Sequence, residues 1–270
     1  MSKSQKKPTS KKQKSSKSSQ RFQLNSWIEE NYKSLSYGIL GLALFLRLWL
    51  LVELPTLPFS EMHKHADLDM GFFDAWGERI ANGDVFTDTT WHPYHNWHQE
   101  AAMKLGLDDA QGRAKWNEWY GGKIYHQEPL YALIIGFTKM FGGSGHMLLF
   151  LLQMIASMFS VWMILWLGRH YFGLVASLAG GLLFTLYSPG LLYDVVILRT
   201  SFTTCYSLAL LFMAEKLMKG ESKPWIFGLL GGVGYLLQTT SLLIWLPLLI
   251  RWLIVKKEDL KRSWQVALGF

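Results

Sequence analysis

The residue types able to do chemistry in this chain are gathered in a few short clusters. The first is acidic: Asp67-Leu68-Asp69, followed by Asp74. Two carboxylates at i and i+2 can ligate a divalent cation, or leave one of them free as a base. The second is Tyr125-His126-Gln127-Glu128-Pro129, an acid set directly before a proline that suits the first turn of a helix. Glu128 is also well placed as a plain helix-terminal charge. The third is Tyr193-Asp194-Val195-Val196-Ile197-Leu198-Arg199, an acid and a base close together between two apolar runs, where charges are costly unless they face water or a partner. Arg47 lies inside an apolar run and reads either as a phosphate partner or as a side chain that snorkels to the interface. Histidines form a separate group. His63 and His65, then His92, His95 and His98, have spacings at which imidazoles can bind zinc. Pro93, with Trp91 and Asn96 beside it, argues for an irregular loop there, so these residues read first as polar cover over a site and only second as ligands.

The elements that must position these groups are apolar. Half of the 270 residues are hydrophobic, 13 are Trp, and only 17% are charged, which excludes a disordered chain. A single Cys, Cys205, excludes an internal disulfide framework and a Cys-rich zinc site. The net charge of +7 is confined to the N-terminus: residues 1–21 carry eight Lys and Arg and no acid, so the remainder is slightly negative. That distribution excludes a nucleic-acid-binding body. Lys, Ser and Gln dominate residues 1–33, a composition that predicts a disordered basic tail suited to anionic lipid headgroups.

Leu35–Val52 then reads as a first membrane span, and further apolar runs follow at Met147–Leu167, Leu174–Tyr187, Phe202–Met213, Trp225–Leu237 and Leu242–Val255. Several are short, which predicts tilted or paired segments. With the tail placed in the cytoplasm, alternation puts Arg169-His170, the Lys216/Lys219/Lys223 set and the Lys256/Lys257/Lys261/Arg262 set inside, as the excess of cytoplasmic basic residues requires. The large hydrophilic segment of about 53–146 then falls outside, as do Asp194 and Arg199. Within it, Phe72, Phe73, Trp76 and Ile80 repeat at helical spacing before an Asn82-Gly83-Asp84 stop, and Leu130, Ile134, Phe137 and Phe141 repeat after Pro129. Both predict amphipathic helices on the outer interface. Ser263–Phe270 reads as the approach to another run, which makes the chain look truncated at its C-terminus. The expected fold is an all-α, multi-pass transmembrane bundle over residues 34–270 with a large extracytoplasmic first loop.

The order of motifs carries a resemblance. Arg47-Leu48-Trp49 ends a span, then come Asp69-Met70-Gly71-Phe72-Phe73-Asp74-Ala75-Trp76-Gly77, Gln127-Glu128-Pro129-Leu130-Tyr131, Met140-Phe141-Gly142, Gln153, Gly168-Arg169-His170-Tyr171-Phe172-Gly173 and Tyr187-Ser188-Pro189 before Asp194. This series resembles the bacterial integral-membrane glycosyltransferases of the GT-C class, specifically glycosyltransferase family 39, the protein O-mannosyltransferase and aminoarabinose-transferase-like superfamily. The resemblance implies sugar transfer, with inversion, from a polyprenyl-phosphate donor to a protein, lipid or glycan acceptor on the outer face of a bacterial inner membrane. It implies Asp69 as general base or metal ligand with Asp67 beside it and Glu128 as a second catalytic acid. It further implies Asp69 and Asp194 as ligands of a divalent cation such as Mg or Mn, and Arg47 and Arg199 as partners of the donor phosphate. Gln238-Thr239-Thr240 departs from the Arg-Pro-Thr that relatives often show there. The rival from another class is a non-catalytic multi-pass protein, a transporter or assembly subunit, which predicts mid-membrane ionisable residues or an internal repeat.

Overall fold

In the computed structural model the chain is described over residues 11–65, 68–86, 96–119, 125, 127–143, 145–255 and 264–270, with side chains from Ser26 onward. Asp67, His92, His95 and His126 lie outside these residues. All regular structure among the described residues is helical. The helices are α1 (Lys11–Glu53), α2 (Asp69–Ala81), α3 (Asn96–Lys104), α4 (Asp109–Trp119), α5 (Leu130–Gly142), α6 (Met147–Phe172), α7 (Leu174–Leu186), α8 (Ser188–Leu192), α9 (Thr200–Met218), α10 (Pro224–Leu237), α11 (Leu242–Val255) and α12 (Trp264–Gly269). Short 3₁₀ turns at Leu54–Thr56 and Pro58–Lys64 lead from α1 towards α2.

Each apolar run coincides with a helix. Two segments, Ser26–Thr56 and Met147–Phe172, are long and apolar enough to cross a membrane by length and composition. The helices at Leu174–Leu186 and Pro224–Leu237 are apolar but shorter. Apolar side chains face outward along them: Leu44, Phe45, Leu48 and Trp49 on α1, Ile155 and Phe159 on α6, and Leu183 on α7 are all exposed. A water-soluble surface does not carry so continuous an apolar belt, whereas hydrocarbon accommodates it without cost.

Of the tail expected to be disordered over residues 1–33, residues 1–10 lie outside the described residues, and from Lys11 on the backbone is helical, continuous with the span. Lys, Ser and Gln cannot bury a core, but α1 is already nucleated by its apolar part, and extending a formed helix requires no new nucleus.

Small residues set how closely the helices approach. At Gly168 on α6 a Cβ would lie 2.8 Å from the Cα of Ser177, and at Gly181 on α7 one would lie 2.6 Å from Leu165. Gly173, at φ +88°, makes the reversal between these two helices. The pair is further tied by Ser177, whose hydroxyl donates to the Leu165 carbonyl at 2.6 Å. Outside the spans, α2 packs on α5 through Gly77 and Gly136: a Cβ on either would meet Ile135 or Ile80 at 2.3 to 2.5 Å.

That contact revises how the two amphipathic helices are used. The Phe72/Phe73/Trp76/Ile80 face of α2 is buried as its spacing predicts, but against α5 and not against lipid. On α5 the buried face is Tyr131, Ala132, Ile135, Gly136 and Thr138. The stripe noted in the sequence points the other way, leaving Phe137 and Phe141 exposed. Apolar on both sides, α5 has one face for α2 and one for an apolar surround.

Candidate functional site

Three of the predicted residues converge on one polar cleft. Asp69 opens α2, Glu128 stands just before α5, and Arg199 stands just before α9; all three line a cleft of about 620 Å³ with Tyr125, Gln127, Tyr235 and Thr239. They reach it from three segments far apart in sequence, because α2 is held to α5 and the turn before α9 is clamped from beneath.

The clamp is built from buried polar groups. Gln153 on α6 accepts from the Tyr131 hydroxyl at 2.8 Å and donates to the carbonyls of Tyr193 and Val196 at 3.1 and 3.0 Å. Arg47 and Asp194 form an ion pair at 2.9 Å, with both side chains at 0% exposure. The Arg47 guanidinium also donates to Ser157 and to the Ala43 carbonyl, while the Ser201 hydroxyl donates to Asp194 at 2.7 Å. The span carrying Arg47 and the helix carrying Gln153 therefore fix the turn that ends in Arg199.

Two residues that the resemblance assigns to donor phosphate and metal lie in this clamp. Arg47, expected to meet a donor phosphate, is fully buried and bonds to Asp194, Ser157 and the Ala43 carbonyl. Asp194 was expected to share a metal with Asp69. It does not line the cleft, and a guanidinium already occupies the position a cation would take beside it. A dication placed against Arg47 would be repelled, so Asp69 and Asp194 do not fit a shared Mg or Mn site.

Within the cleft, Glu128 and Arg199 are bound tightly. Arg199 donates through NH1 to Glu128 at 2.6 Å, and its guanidinium lies 5.6 Å from the centroid of the Phe73 ring. The other Glu128 oxygen accepts from the backbone N–H of Thr239 at 2.7 Å and from its hydroxyl at 2.6 Å. Thr239 is thus part of the site, although its segment departs from the family pattern in sequence. The signal that could have found it is chemical: a hydroxyl with a free N–H at a helix start suits a carboxylate. Partial burial pushes the Glu128 carboxyl up, but the Thr239 bonds and Arg199 outweigh it and bring its pKa down to about 2.

A carboxyl depressed in the folded state contributes stability that is complete above its ordinary value near 4.5 and is lost as pH falls towards about 2. The expected result is that Glu128→Gln flattens the acid side of the stability profile between those two pH values. Thermal melting of both proteins in detergent across that window checks it; identical slopes would show that the pair contributes nothing.

Asp69 differs from its neighbours. Among the described residues, no hydrogen bond or ion pair engages its carboxylate, and its side chain is exposed to the cleft. It is the acid of the cleft left available to a ligand, whereas Glu128 is committed to Arg199. Of the histidines proposed as a zinc set, His98 is buried on α3, stacked on Trp97 with centroids 3.6 Å apart and edge-on to Trp116 at 4.2 Å.

Comparison with known proteins assigns part of the chain to a family. Residues 126–270 match the family model described as dolichyl-phosphate-mannose-protein mannosyltransferase. The match takes in Glu128, Asp194, Arg199 and Thr239, while Arg47 and Asp69 precede it. No curated protein and no solved structure matches the chain. With the family model covering more than half of its residues, and with an apolar helical body to match, the chain belongs to the dolichyl-phosphate-mannose-protein mannosyltransferase family of integral-membrane glycosyltransferases.

Proposed function

We propose that this protein is a multi-pass glycosyltransferase that moves a mannose-type sugar from a polyprenyl-phosphate donor to a protein acceptor, with its N-terminus cytoplasmic and its cleft on the opposite face of the membrane. The observation that carries this reading is the cleft itself, where an uncommitted carboxylate, Asp69, and a guanidinium, Arg199, line the same volume. Transfer with inversion needs two services from the protein. One is a base for the proton of the acceptor hydroxyl as its oxygen attacks the anomeric carbon; the other is positive charge for the phosphate that leaves as the old C–O bond breaks.

Asp69 supplies the base in this scheme and Arg199 the charge. Among the described residues Arg199 bonds only through NH1, which leaves its other guanidinium donors for phosphate oxygens. Glu128 is a positioning residue: held by Thr239 and Arg199 and ionised down to about pH 2, it has no proton to donate near neutrality, and it fixes where Arg199 points.

The donor class is the part that decides the reading. Purified full-length protein in detergent or nanodiscs, given a hydroxyl-bearing peptide, is expected to transfer mannose from polyprenyl-phosphate mannose and not from the corresponding nucleotide sugar. Transfer from the nucleotide sugar alone would overturn the proposal, and so would no transfer from the lipid-linked donor across a panel of Ser/Thr peptides.

A further inference from the structure

A second cluster lies on the other side of α2. His63 on the 3₁₀ turn of Pro58–Lys64, Asp74 in the middle of α2 and His146 at the start of α6 bring one ligand atom each to within 4.8 Å of one another. His146 Nε2 is 2.6 Å from Asp74 Oδ1, and the His63 and His146 rings meet edge-on with centroids 4.7 Å apart. All three are half-buried.

We propose that His63, Asp74 and His146 form a binding site for a divalent transition-metal ion, zinc(II) in the first instance, that ties the entrance to α2 to the start of α6. Two imidazoles and one carboxylate are a borderline donor set: too nitrogen-rich for Mg or Ca, and matched to zinc with a position left for water. Ligands of a tetrahedral zinc at bonds of about 2.0–2.1 Å stand about 3.3 Å apart, so side-chain adjustments of under about 1 Å admit the ion.

Among the described residues, the surroundings leave Asp74 one competing cation. Lys139 is the competitor, its Nζ 2.9 Å from Asp74 Oδ1. It has a second acceptor in Glu78 at 2.8 Å, so it can yield Asp74 to a metal without losing a carboxylate partner. Because Asp69 and Asp74 share one helix, a metal here would fix the orientation of the carboxylate that faces the cleft. The site itself does not depend on the proposed activity.

The test is zinc binding by the full-length protein, stripped with chelator in detergent and titrated with zinc(II) alone, with cobalt(II) as a spectroscopic substitute. One equivalent bound at micromolar zinc is expected, with a visible cobalt absorption typical of low coordination number. His63→Gln, His146→Gln and Asp74→Asn are each expected to weaken binding at least tenfold, while a His92→Gln/His95→Gln variant binds as the wild type does. Melting of every variant without metal identifies any that has failed to fold, and the remaining two then carry the test. No stoichiometric binding by the wild type would overturn the proposal. Binding that survives both histidine replacements, or that is lost with His92 and His95 instead, would overturn it as well.

Discussion

Asp69→Asn is expected to lower sugar transfer by about 10²- to 10⁴-fold, the span that a positioned general base contributes. The reason lies in what surrounds each acid of the cleft. Glu128 has two bonds from Thr239 and one from Arg199, while Asp69 lines the same volume with its carboxylate unengaged by the described residues. Asn keeps the size and polarity of Asp at the first position of α2, so folding should be little changed. The loss should therefore appear in kcat with KM for the lipid donor nearly constant. Glu128→Gln should behave differently: it weakens the hold on Arg199, so KM for the donor rises along with a fall in kcat. Initial-rate kinetics on both variants with polyprenyl-phosphate mannose distinguish the two roles. If Asp69→Asn retained wild-type transfer, the base would have to be sought elsewhere.

Arg47→Met is expected to cost about 3–5 kcal/mol of stability, because it strands the fully buried Asp194 carboxylate without its counter-charge. Met preserves most of the side-chain volume in α1, so the loss reports the charge and not a cavity. Adding Asp194→Asn should recover much of that loss, since the stranded charge is then removed as well. Denaturant or thermal unfolding in detergent measures all three proteins. A single variant as stable as the wild type would mean that the pair is not what anchors the turn. Transfer should fall in Arg47→Met even where the protein remains folded, since the turn that Arg47 secures carries Arg199 into the cleft.

The contrast between Arg47 and Arg199 shows where reading a sequence stops. Both are arginines near the outer ends of apolar runs, and both fit equally well as partners of a phosphate. Nothing in their immediate neighbours says that one is sealed by Asp194 and Ser157 while the other reaches a cleft. That difference depends on which helix stands beside α1, and pairing between helices over a hundred residues apart leaves no local signature. The same holds for Thr239, whose segment departs from the family pattern, yet whose N–H and hydroxyl hold Glu128. It holds too for His146, which lies far in sequence from His63 and Asp74; the three match no spacing rule for metal ligands.

Helices were more legible. The 3.6-residue repeat of Phe72, Phe73, Trp76 and Ile80 located α2 and its buried face, and the Asn82-Gly83 stop coincides with the helix end. The repeat on α5 located the helix and its outward apolar stripe but gave no sign of the second face that packs on α2. A stripe of large apolar residues marks where hydrophobic surface lies, and in a membrane protein that surface can turn towards lipid as readily as towards protein. What turns the opposite face inward is Gly136, which lets Ile80 approach, and a missing side chain contributes no hydrophobic signal.

The sequence by itself determined that this is an apolar helical protein, where its helices run, and that its carboxylates and arginines cluster at a few turns, because burial and helix periodicity act over neighbouring residues. Only the tertiary structure decided which of those charges meet. It joined Asp69, Glu128, Arg199 and Thr239 at one cleft and withdrew Arg47 and Asp194 into a clamp beneath it. The physical reason is that a charge is available for chemistry only if no partner has already neutralised it, and partners are assigned by packing between distant helices.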